Sequence, residues 1–300
     1  MRRPVYRYLI ALTLASSASS CRSHSLSSRL SAVQVDTGTV AVNGTQLFYE
    51  AAGRGSPIVL LHSGDLDRRQ WDPQFLPLAL EHRVIRFDAR GYGRSGRADT
   101  KYRADDDLFA LLVALHIPRA SLIGSSLGGR IAIDFALSHA SMIDRLVLAA
   151  PGLSGWQFSR GDTSWFADAR AARDRGDFGA IAIAWLQQDF MHAAMEHPDV
   201  AAHLRKVAGE NGQFWADVLR LNGEQDQQGS PPALHRTRLI TAPTLLIVGT
   251  RDTRDIVEIA DTLSASMPHV RRVTFEGAGH MLNLEQPDRF TTVVLEFLRP

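Results

Sequence analysis

Apolar positions along this chain fall into two kinds of run, and their alternation predicts an architecture before any single residue is weighed. Pro57 to Leu61, Arg83 to Phe87, Ala120 to Ile123, Ile143 to Ala149, Pro243 to Val248 and Val270 to Phe275 are short and bounded by turn residues. Pro57 to Leu61 is continuously apolar, as suits a strand buried on both faces of a parallel sheet, Arg83 to Phe87 and Pro243 to Val248 read as further buried strands, and Ile143 to Ala149 and Val270 to Phe275 as strands with polar positions among the apolar ones. Between them lie stretches with helical spacing, Asp105 to His116, Ile131 to Ala136, Ile256 to Ser264 and Pro287 to Leu298. The last opens on a proline, which a helix tolerates in its first turn. Strands alternating with helices predict an α/β fold, a mostly parallel sheet with helices on both faces. Ahead of these, Gly38 to Val42 and Gln46 to Tyr49 alternate around Asn43-Gly44. That pair is a strong hairpin signal, and it predicts an N-terminal antiparallel ribbon at one edge of the sheet.

The middle of the chain breaks the pattern. From about Ser154 to Gln228 there is no strand signal, only helical segments near Thr163 to Arg175, Phe178 to Phe190, Pro198 to Val207 and Gln213 to Leu221. Trp156, Trp165, Trp185 and Trp215 all fall here, and Gly229-Ser230-Pro231-Pro232 ends the stretch. This reads as a helical cap insertion, residues 153–235, laid over the carboxyl end of a sheet formed by 36–152 and 236–300. No internal repeat is visible.

Composition changes the picture at two points. With 45% hydrophobic residues, 300 residues can bury a sizeable core, and a net charge of +1 argues against nucleic acid as a partner. Residues 1–35 stand outside the globular pattern: Arg2, Arg3 and Arg7 precede the apolar run Tyr8 to Ala15, and the small-residue tract Ser16 to Ser20 follows. That is the order of a secretory signal peptide, too short to span a bilayer as a mature helix. An exported protein is the expectation, whether periplasmic, secreted or lipid-anchored; a leader that is no true signal would leave it cytoplasmic. Cys21 is the sole cysteine, so no intramolecular disulfide can form. It stands where a bacterial lipoprotein carries its acylated cysteine, although Ala18 replaces the usual leucine, and a membrane partner is expected only if Cys21 is lipidated.

The chemistry concentrates after the strands. Gly124-Ser125-Ser126-Leu127-Gly128 is a Gly-x-Ser-x-Gly signature between an apolar strand and a helical pattern. In that context the central serine sits on a sharp strand-to-helix turn with its hydroxyl held out, and only near-glycine residues fit two positions either side. Ser125 lacks glycines on both flanks and reads as structural. Asp252 follows the strand ending at Gly249-Thr250-Arg251, and His280 closes Gly277-Ala278-Gly279-His280 after the last strand.

Ser126, Asp252 and His280 in that chain order, each after a strand, resemble the α/β-hydrolase superfamily over about residues 38 to 298. The His62-x-Gly64 turn and Asp88-x-Arg90-Gly91-x-Gly93-x-Ser95 match independently. The resemblance implies a cap-bearing serine hydrolase with Ser126 as nucleophile, His280 as base and Asp252 as the acid that orients it, and with the Gly64 and Leu127 amides as the oxyanion hole. One departure stands out, because Ser63 replaces the glycine usual after that histidine. Asp255 is a rival acid one turn into the next helix. His62 is expected to hold its loop, and Asp88 and Arg90 to brace a turn. His192, His197 and His203 have a spacing that fits no zinc motif. No metal and no cofactor are expected. Trp156, Phe158, Trp165, Phe190 and Met191 are candidates to line a substrate pocket, or equally to form plain core of the insertion. The resemblance implies cleavage of a small carboxylic ester or lactone through an acyl-enzyme. Carbon-carbon hydrolases, cofactor-free perhydrolases and thioesterases use the same triad, and a hydrolase-like ligand receptor with little turnover is a different class. Dehalogenase and epoxide-hydrolase chemistry would require an aspartate at position 126.

Overall fold

The computed structural model describes residues 28–159, 164–220 and 226–299. Residues 1–27, where the expected signal sequence and Cys21 fall, and the Trp165 side chain lie outside the described residues. The first two strands, β1 (Val35–Val42) and β2 (Thr45–Ala52), form the hairpin around Asn43-Gly44, with Val42 opposite Thr45. Asn43 and Gly44 both have positive φ, at 42° and 78°, as a tight turn matched to the twist of its strands demands. Then come β3 (Pro57–Leu61), helix α1 (Asp72–Ala79), β4 (Arg83–Phe87), α2 (Ala104–Ala114), β5 (Ala120–Ser125), α3 (Leu127–Ser138) and β6 (Ile143–Ala149). Helix α1 has no counterpart among the sequence expectations. It is short and carries Pro73 in its first turn and Pro77 inside, so its sequence reads as a breaker.

Between β6 and β7 (Thr244–Gly249) stand α4 (Ser164–Asp174), α5 (Phe178–Leu186), α6 (His192–Met195), α7 (Pro198–Glu210) and α8 (Gly212–Arg220). The chain closes with α9 (Arg254–Ser266), β8 (Val270–Phe275), α10 (Leu282–Glu285) and α11 (Pro287–Leu298). The helix expected to run to Phe190 stops at Leu186, and a 3-10 turn at Asp189–Met191 intervenes before α6.

The eight strands make one sheet in the order β1-β2-β4-β3-β5-β6-β7-β8, antiparallel only at β1-β2 and β2-β4. This is the α/β-hydrolase fold. Central strands β5 and β7 are buried along their whole length, and Ile58 to Leu61 of β3 are at most 1% exposed. Register then decides where the chemistry gathers. Leu61 pairs with Gly124, Ser125 with Ala149, Ala149 with Ile247 and Gly249 with Phe275, so the carboxyl ends of β3, β5, β6, β7 and β8 finish in one row. Loops leaving that row carry Gly64, Ser126, Asp252 and His280. Ligands of open α/β sheets bind at this edge. Among the described residues no helix is long and apolar enough to cross a membrane.

The hairpin is fastened to the body by charge. Arg90 and Asp107, at the start of α2, form an ion pair at 2.8 Å with both side chains almost fully buried. Asn43 donates to Asp107 at 2.9 Å and offers its carbonyl to Arg90 at 3.0 Å. Removing one member strands the other without water, which costs about 3–5 kcal/mol, whereas removing both costs far less. Arg90→Leu should therefore lower the urea midpoint sharply, and Arg90→Leu/Asp107→Leu should recover much of the loss. Additive losses in the double variant would show that the pair is not coupled.

Candidate active site

Ser126 stands between β5 and α3 with φ +50° and ψ −110°, a conformation that L-residues rarely adopt. The turn is tight enough that a Cβ on Gly124 would collide with the Gly128 carbonyl, and one on Gly128 with the Leu61 carbonyl. Those two glycines let α3 start directly against the ends of β3 and β5. The backbone of Ser126 is held on both sides. Its amide donates to the Ala149 carbonyl at 3.0 Å, and its own carbonyl accepts from Arg130 at 3.0 Å and Gly152 at 2.9 Å. The side chain is left free: among the described residues the Ser126 hydroxyl has no hydrogen-bond partner.

His280 is 4% exposed, and its Nδ1 lies 3.0 and 3.1 Å from the two oxygens of Asp252. The Asp252 side chain is fully buried and also accepts from the Thr253 amide at 2.8 Å. Burial pushes the imidazole pKa down, but the charge of Asp252 and its hydrogen bond outweigh that, so the pKa is raised above the ordinary histidine value. With Nδ1 committed to the carboxylate, Nε2 is the atom left to take a proton. Glu285 clamps the same loop, accepting from the Gly279 amide at 2.7 Å and from the Met281 amide at 3.0 Å, on either side of His280. Asp255 is engaged elsewhere, by Trp156 Nε1 at 3.1 Å and the Ser159 amide at 3.0 Å.

The amides of Gly64 and Leu127 donate no hydrogen bond among the described residues. Leu127 is the first residue of α3, whose opening N–H groups have no intrahelical acceptor, so the positive end of the helix faces this point. Gly64 packs near the Leu127 side chain and the Tyr92 hydroxyl. His62 anchors the Gly64 loop from below. It is buried, burial lowers its pKa, and as the neutral tautomer it donates from Nδ1 to the Ser63 carbonyl at 2.7 Å and accepts at Nε2 from the Ala89 amide at 2.9 Å.

The substitution at Ser63 has a structural partner in Ser125. Their hydroxyls are 2.9 Å apart, and the Ser63 amide donates to Gln70 Oε1 at 2.6 Å. Gln70 Nε2 donates to the Ser125 hydroxyl at 3.1 Å and to Asn283 Oδ1 at 3.2 Å, and Asn283 in turn donates to Gln74 at 3.1 Å. Ser63, Gln70, Gln74, Ser125 and Asn283 are all at most 1% exposed. This network ties the Gly64 loop, the elbow and the segment after His280 into one unit. Gln70 and Asn283 escaped the sequence reading because they lie 213 positions apart and belong to no motif. Asp88 accepts from the amides of Arg68 and Arg94 and pairs with the Arg68 guanidinium at 3.0 Å, bracing the turn after β4.

The aromatic candidates separate. Phe190 meets the His280 ring edge-on at 5.3 Å between centroids. Met191 is fully buried in the cluster that joins α5 and α7 to Leu66, Met281 and Leu284. Trp156 packs against the sheet core, and Phe158 is 56% exposed. An open groove of about 790 Å³ lies elsewhere, between Val42 to Gln46 and Arg94 to Asp99, and holds none of the candidate catalytic groups. Among the described residues no group of three or more His, Cys, Asp or Glu side chains is disposed to hold a metal ion.

Comparison with known proteins adds to this geometry. The chain is 26% identical over 264 residues to a pimeloyl-[acyl-carrier protein] methyl ester esterase of Aliivibrio salmonicida, covering 85% of this chain and 97% of that protein. It is 25% identical over 274 residues to 3-oxoadipate enol-lactonase 1 of Acinetobacter baylyi, covering 89% and 94%. The crystal structure of an enol-lactonase from Burkholderia xenovorans superposes with a TM-score of 0.73 at 29% identity, over 87% of this chain and 99% of that one. The family model described as the alpha/beta hydrolase family matches residues 58–293, most of the chain, and the protein therefore belongs to that family of hydrolases.

Proposed function

We propose that this hydrolase cleaves a small carboxylic ester or lactone through an acyl-enzyme on Ser126. The observation that carries the reading is the His280–Asp252 pair at 3.0 Å, at the same sheet edge as a serine held at φ +50° with its hydroxyl free. The esterase and lactonase relatives support the same substrate class. A serine hydroxyl attacks a carbonyl only as a base removes its proton. In this reading Ser126 Oγ forms a bond to the carbonyl carbon while its proton passes to His280 Nε2, and the Gly64 and Leu127 amides hold the oxyanion. The intermediate collapses, the bond to the alcohol oxygen breaks, and His280 returns the proton to that oxygen. Water then attacks the acyl carbon by the same route and frees Ser126. With a lactone the leaving oxygen stays tethered, and the product is an open hydroxy acid.

Asp252 keeps the proton of His280 on Nδ1 and stabilises the imidazolium that forms. The two amides act without reorganising, and each such donor is worth about 10² to 10³ in rate. His280 in its raised-pKa environment must be neutral to work, so activity falls as pH drops through that value.

Three outcomes follow. Ser126→Ala and His280→Ala should each lower kcat by about 10⁶, the scale set by a serine protease, with the double variant little worse than either. Losses that multiply would refute a shared mechanism. The acid limb of kcat/KM should lie above 6.5, and Asp252→Asn should shift it downward while cutting kcat by roughly 10⁴. An unshifted limb, or a larger loss in Asp255→Asn, would move the acid role away from Asp252. Gln70→Leu should destabilise by about 1–3 kcal/mol for each buried partner left unpaired, and should lower kcat more than it raises KM. Urea unfolding and steady-state kinetics on one ester read both.

A further inference from the structure

Asp65 follows Gly64 directly, and nothing in the fold accounts for its side chain. The residue is 4% exposed, and its Oδ1 is buried with no hydrogen-bond partner among the described residues. The neighbouring carboxylates are satisfied. Asp67 accepts from Arg69 and Asn211, which hold its pKa at about 2 against the effect of burial, and Asp88 has Arg68 and two amides. Among the described residues Asp65 has no such cation. Burial raises its pKa well above the usual carboxylate range and so favours the protonated form, which can both donate and accept. Its backbone is also costly, with φ +62°, where aspartate is tolerated but glycine fits freely. A position unfavourable to folding on both counts is common where a residue serves a ligand instead.

The location indicates which part of a ligand it serves. Gly64 lies against the Leu127 side chain and the Tyr92 hydroxyl, so the loop borders the elbow itself. Consecutive Cα atoms stand about 3.8 Å apart, and the Asp65 carboxyl acts electrostatically on Tyr92, whose hydroxyl borders Gly64, so the carboxyl lies in the neighbourhood of the Gly64 amide. We propose that Asp65 is a specificity-determining residue, whose carboxyl hydrogen-bonds an oxygen substituent carried by the substrate's acyl group within a few atoms of the scissile carbonyl. A hydroxy- or oxo-acyl ester, or a lactone with a further ring oxygen, has that chemistry; a plain alkanoyl ester does not. The inference rests on the reading of Ser126 as the acylated nucleophile.

Two variants separate the carboxyl from the backbone. Asp65→Gly removes the group at a φ that glycine favours, and Asp65→Asn keeps shape, donor and acceptor. Kinetics are measured on the 3-hydroxybutanoate and butanoate esters of one phenol, and the variable read is the ratio of their kcat/KM values. Asp65→Gly should lower that ratio by about 10- to 100-fold, the scale of a hydrogen bond lost from a desolvated site. Asp65→Asn should retain most of it, and the melting temperature of Asp65→Gly should rise. An unchanged ratio in Asp65→Gly, or a fall in melting temperature with both esters affected alike, overturns the proposal in favour of a structural role. Labelling of Ser126 by a fluorophosphonate keeps the two readings apart. An unlabelled unmodified protein defeats the serine mechanism and this inference with it, whereas full labelling with an unchanged ratio defeats this inference alone.

Discussion

A serine at φ +50° and ψ −110° costs roughly 1–3 kcal/mol and persists only where its surroundings over-determine it. Here three backbone hydrogen bonds pin Ser126, from its own amide to Ala149 and to its carbonyl from Arg130 and Gly152. The first turn of α3 presses against the ends of β3 and β5 through Gly124 and Gly128. Strand register then acts at a distance. Because Leu61 pairs with Gly124 and Gly249 with Phe275, relaxing the turn would also move the loops that carry Gly64, Asp252 and His280. The strain is stored in a rigid sheet, and among the described residues the hydroxyl is left without a hydrogen bond.

Around that turn the interior is polar to an unusual degree, and nearly every group is paired. His62, Ser63, Gln70, Gln74, Ser125 and Asn283 are buried, yet each has partners at hydrogen-bond distance. In low dielectric a satisfied network is rigid and an unsatisfied one is costly, so the network restricts both the Gly64 loop and the loop of His280 to one arrangement. Ser63, which departs from the glycine usual at its position, belongs to this arrangement through Ser125 and Gln70. The electrostatics divide labour between two buried histidines. His62 has its charge suppressed by burial and serves as a neutral brace, while His280 has its charge favoured by Asp252.

The helices between β6 and β7 meet the sheet edge through the same loops. Tyr92 stacks on Phe214 at 4.0 Å, and Asn211 links Gly93 to Asp67. Leu66, Met281 and Leu284 join the apolar cluster of α5 and α7. By contrast the exposed pair of Arg251 with Glu196 contributes little, since both groups stay in water. Attachment of these helices therefore comes from packing and buried hydrogen bonds beside the site. Phe190, in the connection between α5 and α6, reaches the His280 ring from that side.

The central strands were legible in the sequence because they are short, mostly apolar runs, the hairpin because its residues alternate around Asn43-Gly44, and the elbow because only glycine permits that turn. The positions of Ser126, Asp252 and His280 could be placed along the chain because each follows a strand end that the pattern marks. Helix α1 was hidden by Pro73 and Pro77, and the end of α5 by Phe190, which falls four positions after Leu186 and so continues the helical spacing across a 3-10 turn. Gln70, Asn283, Glu285 and Asp65 carried no local signal. Their roles arise from contacts across up to 213 positions, or from a burial that no neighbouring residue reveals. Periodicity and backbone sterics are local and can be read along a chain. Hydrogen-bond satisfaction, desolvation and the direction of a pKa shift depend on what the fold brings alongside, and only the tertiary structure decides them.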